Sequence, residues 1–344
     1  MGVQEIRGAA QAVGDIAVRY TVKTVYNAGK FHEGRFDFAM SEAVHSSASK
    51  QASKQACLIL AYKPDLVFRT LIQMLDHPKN DIFIHMDAKT ASYDPADTEA
   101  LVKHSRVVHV PRIRVQWGAY SQVEADMLML EAATSQGHYG HYHILSNACL
   151  PIKTQDEIAA FFEAHHGVEF VSFPSETFTF SSEERVRYYY PFQEIKGRKG
   201  SLPVRAMAKL ALILQKILHV HRNKGIKFQK GGDWFSITDE LARYALSKRE
   251  WIRAVFHDTY IPTEEFMHTL IINSHFSNRL FRVEALTLGL PQHMRLIDWK
   301  RGEPYTFRLS DLEEIQKSPA MFARKFDEAV DPEIIRRIQE LYSR

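Results

Sequence analysis

Two short apolar runs with a helix-spaced stretch between them do most to constrain this chain. The first is Ala56-Cys-Leu-Ile-Leu-Ala61, closed by Tyr62-Lys-Pro64. The second is Asp81-Ile-Phe-Ile-His-Met86, ending in Asp87-Ala-Lys89. Between them Leu66, Phe68, Leu71, Ile72 and Leu75 recur at helical spacing. Short runs that are apolar at nearly every position fit strands buried on both faces of a parallel sheet. Strand, helix and strand in that order make a βαβ unit with a right-handed crossover. Ligands of such sheets sit beyond the carboxyl ends of the strands. Tyr62, His85, Asp87 and Lys89 fall at those ends. Asp87 is suited to accept hydrogen bonds from a base or ribose, and equally suited to cap a turn.

The pattern continues downstream. Arg106–Val110, Tyr142–Ser146, Glu169–Phe173, Trp234–Ile237 and Arg295–Trp299 read as further strands. Ser121–Ala133 reads as an amphipathic helix with Ser121 at its start as cap. Residues 155–163, 239–247 and 332–342 read as helices too. The expected class is α/β, with a mainly parallel central sheet flanked by helices. Residues 1–53 carry weak helical periodicity and a small polar stretch, Ser46-Ser-Ala-Ser-Lys50, and read as a partly flexible appendage. Residues 54–344 read as the main domain.

Composition narrows the class. The chain has 344 residues, 45% hydrophobic and 25% charged, as in ordinary globular proteins. A net charge of +3 does not argue for a nucleic-acid binder. Cys57 and Cys149 are its only cysteines, with neither a disulfide framework nor a C-x-x-C metal pattern. No apolar run reaches the length of a membrane span and no signal-peptide core is visible. The expected location is cytoplasmic, against the inner face of the cell membrane if any membrane is involved.

Residues 181–230 change character. Basic residues from Arg185 to Lys230 interleave with Tyr188, Tyr189, Tyr190 and an apolar helix, Leu202 to Leu218. One reading is a solvated basic face. The others are an anionic acceptor or, through 202–228, a membrane bearing anionic lipid.

Three later windows carry chemistry. Gly231-Gly-Asp-Trp234 pairs glycines, which allow close backbone approach, with an acid and an indole. Tyr260-Ile-Pro-Thr-Glu-Glu-Phe-Met-His-Thr269 sets Glu264 and Glu265 just after a proline fitted to a first helical turn. Such carboxylates are ordinary helix starters, and also candidates for base chemistry when desolvated. Met321-Phe-Ala-Arg-Lys-Phe326 places two cations between apolar anchors. An Arg fork beside a Lys point charge suits a diphosphate. Trp117 before Gly118 fits the wall of a sugar or base pocket, or plain core.

Taken together these windows resemble the Core-2/I-branching β-1,6-N-acetylglucosaminyltransferase family, which also contains the peptide O-xylosyltransferases. The resemblance runs from about Cys57 to Ile335. It rests on Phe83–Asp87, Trp117-Gly118, Leu145-Ser146 with Pro151–Thr154, Gly231–Trp234, Pro262-Thr-Glu264 with Phe266 and His268-Thr269, Asp298-Trp299, and Phe322–Phe326. The last window and Pro-x-Glu-x-Phe look nearer to the xylosyltransferase branch. The resemblance implies a GT-A type nucleotide-sugar-binding fold and an inverting transfer from UDP-GlcNAc or UDP-xylose. It makes Glu264, as base, and Asp233 the catalytic residues, with Glu265 as rival base. It puts the diphosphate at Arg324 and Lys325, the uridine near Asp87 and Lys89, and the donor sugar and acceptor near Asp233 and Trp234. Trp117 belongs to the same binding set. Where the family often carries an Asp two residues before the proline of the Leu-Ser window, this chain has Cys149. The lack of the animal enzymes' membrane anchor suggests a bacterial relative acting on a cytoplasmic or lipid-linked glycan.

No two Asp residues are separated by a single residue, so the Asp-x-Asp metal motif is missing. The nearest match, Glu124-Ala-Asp126, falls inside a predicted helix. Neither a metal nor another cofactor is therefore expected, and protein cations are expected to stabilise the leaving group. The expected activity is transfer of GlcNAc or xylose to a glycan hydroxyl. The competing readings are peptide O-xylosyl transfer, a catalytically silent UDP-sugar or glycan binder, and an anionic-polymer or membrane binder.

Overall fold

A computed structural model of the chain describes residues 23–25, 31–33, 54–173, 180–281, 285 and 290–343. The chain divides into two units between residues 50 and 51. Of the first, two antiparallel strands are described, β1 (Lys23–Val25) and β2 (Phe31–Glu33). The appendage expected over 1–53 otherwise lies outside the described residues.

The second unit is built on a five-stranded sheet. Its strands are β3 (Gln55–Ala61), β4 (Asn80–Met86), β5 (Arg106–His109), β6 (His141–Ser146) and β8 (Ser236–Thr238), in the order β5-β4-β3-β6-β8. The first four are mutually parallel and β8 is antiparallel to β6. This is the mainly parallel sheet flanked by helices expected for a GT-A type fold. A smaller sheet orders β7 (Cys149–Pro151), β10 (Phe322–Arg324) and β9 (Arg295–Ile297), with β10 in the middle.

The alternation of strand side chains sorts the core into two layers. Cys57, Ile59 and Ala61 of β3 face one way, with Phe68 and Leu71 of helix Leu66–Leu75 and Ile334, Ile335 and Ile338 of helix Pro332–Tyr342. Ala56 and Leu58 face the other way, with Val123, Met127 and Leu130 of helix Tyr120–Gln136 and Leu241 of helix Asp239–Ser247. Each fully buried Leu, Ile or Phe contributes about 1.5–3 kcal/mol of transfer free energy, so these layers dominate the stability.

Local signals set the helix ends. Asp65 accepts from the Phe68 amide, and Thr154 with Glu157 forms a full capping box on helix Gln155–Ala164. The expected Ser121 cap is corrected. Helix Tyr120–Gln136 starts one residue earlier, after Ala119, and Ser121 Oγ instead donates to Glu194 Oε2 at 2.9 Å. Glu169–Phe173 is not a strand either. It makes only isolated bridges, Glu169 to Leu280 and Phe170 to Ser236. The carboxylate of Glu169 is spent capping Thr238, whose amide and hydroxyl it receives at 2.9 and 2.6 Å.

The two sheets are fastened by one buried cation. Arg295, 1% exposed on β9, reaches across to the larger sheet. Its Nη2 donates to Phe235 O at 2.7 Å, Ser236 Oγ at 3.0 Å and Ile144 O at 3.2 Å, and its Nη1 donates to His293 O. The guanidinium also lies 5.4 Å from the Phe322 ring of β10. Burial pushes its pKa down to about 9. Removing one member of a buried polar network leaves acceptors unpaired at about 1–3 kcal/mol each. That outweighs the relief of desolvating no charge, because the bonds run to several acceptors. Arg295→Met is expected to cost about 2–4 kcal/mol by urea unfolding. A variant as stable as the parent would mean that apolar packing alone joins the sheets.

Candidate active site

The carboxyl ends of β3, β4 and β6 form one edge, and most of the residues singled out in the sequence gather along it or against it. Glu264 closes a 3₁₀ turn, Pro262–Glu264, and helix Phe266–Ile272 follows. The expected α-helical first turn at Pro262 is thus a separate, tighter turn. It is entered through Ile261, held at φ 53°. The Ile261 amide donates to Gly118 O at 2.9 Å, and Gly118 itself sits at φ 70°. A side chain at Gly118 would also press on Gln193 and Ile261, which explains a glycine after Trp117. On the other side, the Gly231 amide donates to Glu264 O at 2.7 Å. A Cβ on Gly231 would fall 1.9 Å from His268 Nε2 and 2.3 Å from Ser172 O. Gly231 therefore serves a close approach that fixes Glu264, whereas a Cβ on Gly232 would meet only ordinary contacts.

The two adjacent glutamates differ sharply. Glu264 is a quarter exposed at its side chain, and Oε2 meets Arg185 Nη1 at 2.6 Å and Lys230 Nζ at 3.2 Å. Glu265 is wholly buried, with both carboxyl oxygens lacking a hydrogen-bond partner. Burial raises its pKa to about 8, with Glu264 adding and Arg185 and Lys230 opposing. Glu265 is therefore mostly a neutral acid at pH 7 and out of reach of a substrate hydroxyl. Glu264 is the carboxylate that solvent and ligands can meet.

Asp233 joins the two charged parts of the site. Its Oδ1 is buried without a partner. Its pKa is raised by burial first and then by the Glu264 carboxylate, while Arg324 and Arg185 pull it down. Asp233 thus feels the base candidate and the diphosphate candidate together. Its neighbour Trp234 carries the Arg324 guanidinium over the ring at 4.3 Å. Arg324 Nε is buried without a hydrogen-bond partner. Behind Asp233 lies Asp126, buried on helix Tyr120–Gln136, its pKa pushed well up by burial and by Asp233.

The remaining predicted residues are placed as follows. Asp87 lies at the end of β4, and its carboxylate accepts from the Lys89 amide at 2.8 Å and meets Lys89 Nζ at 3.3 Å. Lys89 Nζ also donates to Val115 O at 2.5 Å, so these two side chains close a turn on each other. Lys325 follows Arg324, with its backbone bonded to Tyr305 and Phe307. Trp117 is 42% exposed, edge-on to Tyr260 at 6.1 Å, with Arg198 at 5.7 Å from its ring. Arg185 lies 5.7 Å from the Tyr260 ring, linking that aromatic wall to Glu264. Cys149 is buried, its Sγ 3.4 Å from Ser146 Oγ. Among the described residues no group of three His, Cys, Asp or Glu side chains is arranged to hold a metal.

Sequence reasoning missed Arg185, Lys230 and Asp126 as parts of this site. The first two were read as members of a basic run, and their spacing from Glu264 carries no signal of contact. Asp126 was weighed only as half of a metal motif. Its place on the buried face of an otherwise apolar helix was the available clue.

The Core-2/I-branching enzyme family matches residues 56–318 of this chain. The chain belongs to that family. Among curated relatives, xylosyltransferase 1 of Homo sapiens is 23% identical over 291 residues, covering 77% of this chain and 28% of the relative. Xylosyltransferase 2 of Rattus norvegicus is 24% identical over 286 residues, covering 78% and 31%. The chain thus spans about a third of the length of the curated relatives it matches. Among solved structures, the apo form of mouse xyloside xylosyltransferase 1 aligns over 78% of this chain and 96% of that one, at 9% identity and a TM-score of 0.32. Arg324 and Lys325 lie just past the matched span, so their assignment rests on the geometry around Trp234 and Asp233.

The state of Glu265 has a measurable consequence. The folded protein keeps a proton up to about pH 8 that the unfolded chain gives up near its ordinary 4.5. Its share of stability therefore falls as pH rises through that window, by up to about 1.4 kcal/mol per pH unit. Glu265→Gln is expected to flatten the pH dependence of the urea midpoint between pH 5 and 8, whatever its effect on the absolute value. An unchanged slope would mean that Glu265 ionises normally in the fold.

Proposed function

We propose that this family member is an inverting UDP-sugar glycosyltransferase in which Glu264 is the general base and Arg324 with Lys325 receives the departing diphosphate. The observation that supports this is one short segment that meets both charges: the Gly231 amide holds Glu264 O at 2.7 Å, and Trp234, three residues on, carries the Arg324 guanidinium over its ring at 4.3 Å. A single displacement needs those two charges on opposite sides of a sugar. The acceptor oxygen attacks the anomeric carbon, the bond from that carbon to the diphosphate oxygen breaks, and the hydroxyl proton passes to the Glu264 carboxylate. Charge that grows on the diphosphate is met by a forked cation held over Trp234. Arg185 and Lys230 aim Glu264. Asp233 and Trp234 border the donor sugar.

The donor is UDP-GlcNAc or UDP-xylose, and the names of the relatives favour xylose. The uridine lies toward Asp87 and Lys89, where the carboxylate and backbone end β4. Trp117 and Tyr260 offer aromatic faces to an acceptor sugar beside Glu264. The acceptor is a glycan or lipid-linked glycan hydroxyl, and in this reading no metal takes part.

Glu264→Gln is expected to abolish transfer while leaving UDP affinity within about twofold, because the amide keeps the shape and loses the base. A variant with full transfer would transfer the base role elsewhere. The diphosphate assignment is tested by calorimetry of UDP in EDTA. Binding is expected without added metal, and Arg324→Ala with Lys325→Ala is expected to weaken it by about 3 kcal/mol or more, at roughly 1.5–3 for each charge-assisted contact. Binding that appears only with manganese would overturn the metal-free reading. Binding of the donor with no turnover on any glycan would turn the reading into that of a silent binder.

A further inference from the structure

Helix Leu202–Ile217 is unlike the other long helices of the second unit. Sixteen residues long, it buries none of them. Leu202 is 77% exposed, Leu210 56% and Ile217 65%, with Leu218 just beyond at 72%. At about 100° per residue, Leu202, Ala206, Leu210, Ile213 and Ile217 fall along one outward arc, with Met207 and Leu214 at its edge. Val204, Ala208, Ala211, Leu212 and Gln215 make the inward side and are half-buried. Arg205, Lys209 and Lys216 fill the border between the two. Between Glu194 and Asp233 there is no Asp or Glu at all.

The helix is tied to the body by polar bonds rather than by a buried stripe. The Gln215 amide receives from Tyr189 N at 2.8 Å and donates to Tyr189 O at 2.9 Å. Lys216 Nζ meets Glu184 at 2.7 Å and lies 5.8 Å from the Tyr188 ring. Helices draw most of their stability from packing an apolar face. Here that face points outward, away from the fold, with cations beside it.

We infer that this helix lies in the surface of a bilayer bearing anionic lipid. An apolar arc sunk into the headgroup and acyl boundary, with Arg and Lys at its border, is what such a surface accepts. The exposed Arg198, Lys199, Lys224 and Lys227 flank the helix and add to the same charge. An anionic soluble polymer would use the cations and leave the leucines in water. A second copy of this chain would have to bring the same basic border against itself. Among the described residues no helix is long and apolar enough to cross a membrane, so the contact is one of surface docking.

The test is co-sedimentation of the full chain with sucrose-loaded vesicles, of phosphatidylcholine alone or with roughly a third phosphatidylglycerol. Two variants accompany it: Leu210→Glu with Ile213→Glu, and Arg205→Gln with Lys209→Gln. All four positions are exposed, and matching urea midpoints establish that the variants fold. The parent is expected to bind anionic vesicles about tenfold or more tightly than neutral ones, weakening with salt, and each variant to lose about tenfold or more. No binding by the parent to anionic vesicles, or binding that survives both variants, overturns the proposal. So does a parent dimer in sedimentation equilibrium that Leu210→Glu with Ile213→Glu dissolves, since a second copy then covers the face.

Discussion

The buried guanidinium of Arg295 is the interaction on which the placement of the site depends. Among the described residues it has no carboxylate partner, and beyond its neighbour His293 its hydrogens go to the carbonyls of Ile144 and Phe235 and the hydroxyl of Ser236. Those acceptors belong to β6 and to the entrance of β8. The donor stands on β9, whose neighbour β10 carries Arg324. One cation thus holds the small sheet against the large one. That bond pattern brings Arg324 over Trp234, one residue before the carbonyl of Phe235 that Arg295 holds. The strand pairings link the same two parts only indirectly, from β8 to β6, on through Asn147 and Ala148 into β7, and from β7 to β10.

The site crowds four carboxyl groups and keeps them apart by burial. Asp126, Asp233 and Glu265 all have their pKa values raised, with desolvation as the first cause in each. Glu264, a quarter exposed at its side chain, holds two cations. Four ionised groups packed together would repel one another, and desolvation works against ionisation of the buried ones. The accessible carboxyl is thus the one that the cations hold. His268 and His293, both pushed down to about 3 by burial, add no positive charge to balance it. The compensation comes from Arg185, Lys230 and Arg324.

Much of this was legible in the chain itself. The βαβ start, the parallel sheet and the ends of helices Asp239–Ser247 and Pro332–Tyr342 follow from apolar runs and capping residues. Glu264, Asp233, Trp234 and Arg324 were picked out as short windows, and the fold brings them together. What could not be read was pairing at long range. Arg185 and Glu264 are 79 positions apart, and nothing in either window names the other. Ser121 looked like a cap because hydroxyls favour that position, yet Glu194 competed for it. Glu169–Phe173 had the apolar content of a strand but only single bridges to join. The outward face of helix Leu202–Ile217 was visible as amphipathic, whereas its direction was not.

The middle strand of the small sheet comes last in sequence among the described strands. β10 inserts between β7, about 170 residues upstream, and β9, pairing Arg324 with Cys149 and with Ile297. Closing so long a loop is entropically costly before any contact repays it. During synthesis the four parallel strands of the large sheet can take shape early, while the small sheet must wait for β10. A ribosome-bound intermediate would therefore present an open, half-built cleft, with the apolar flanks meant for Phe322 and Phe326 in water. Until β10 arrives, that cleft is transiently exposed apolar surface of the kind that favours misassembly.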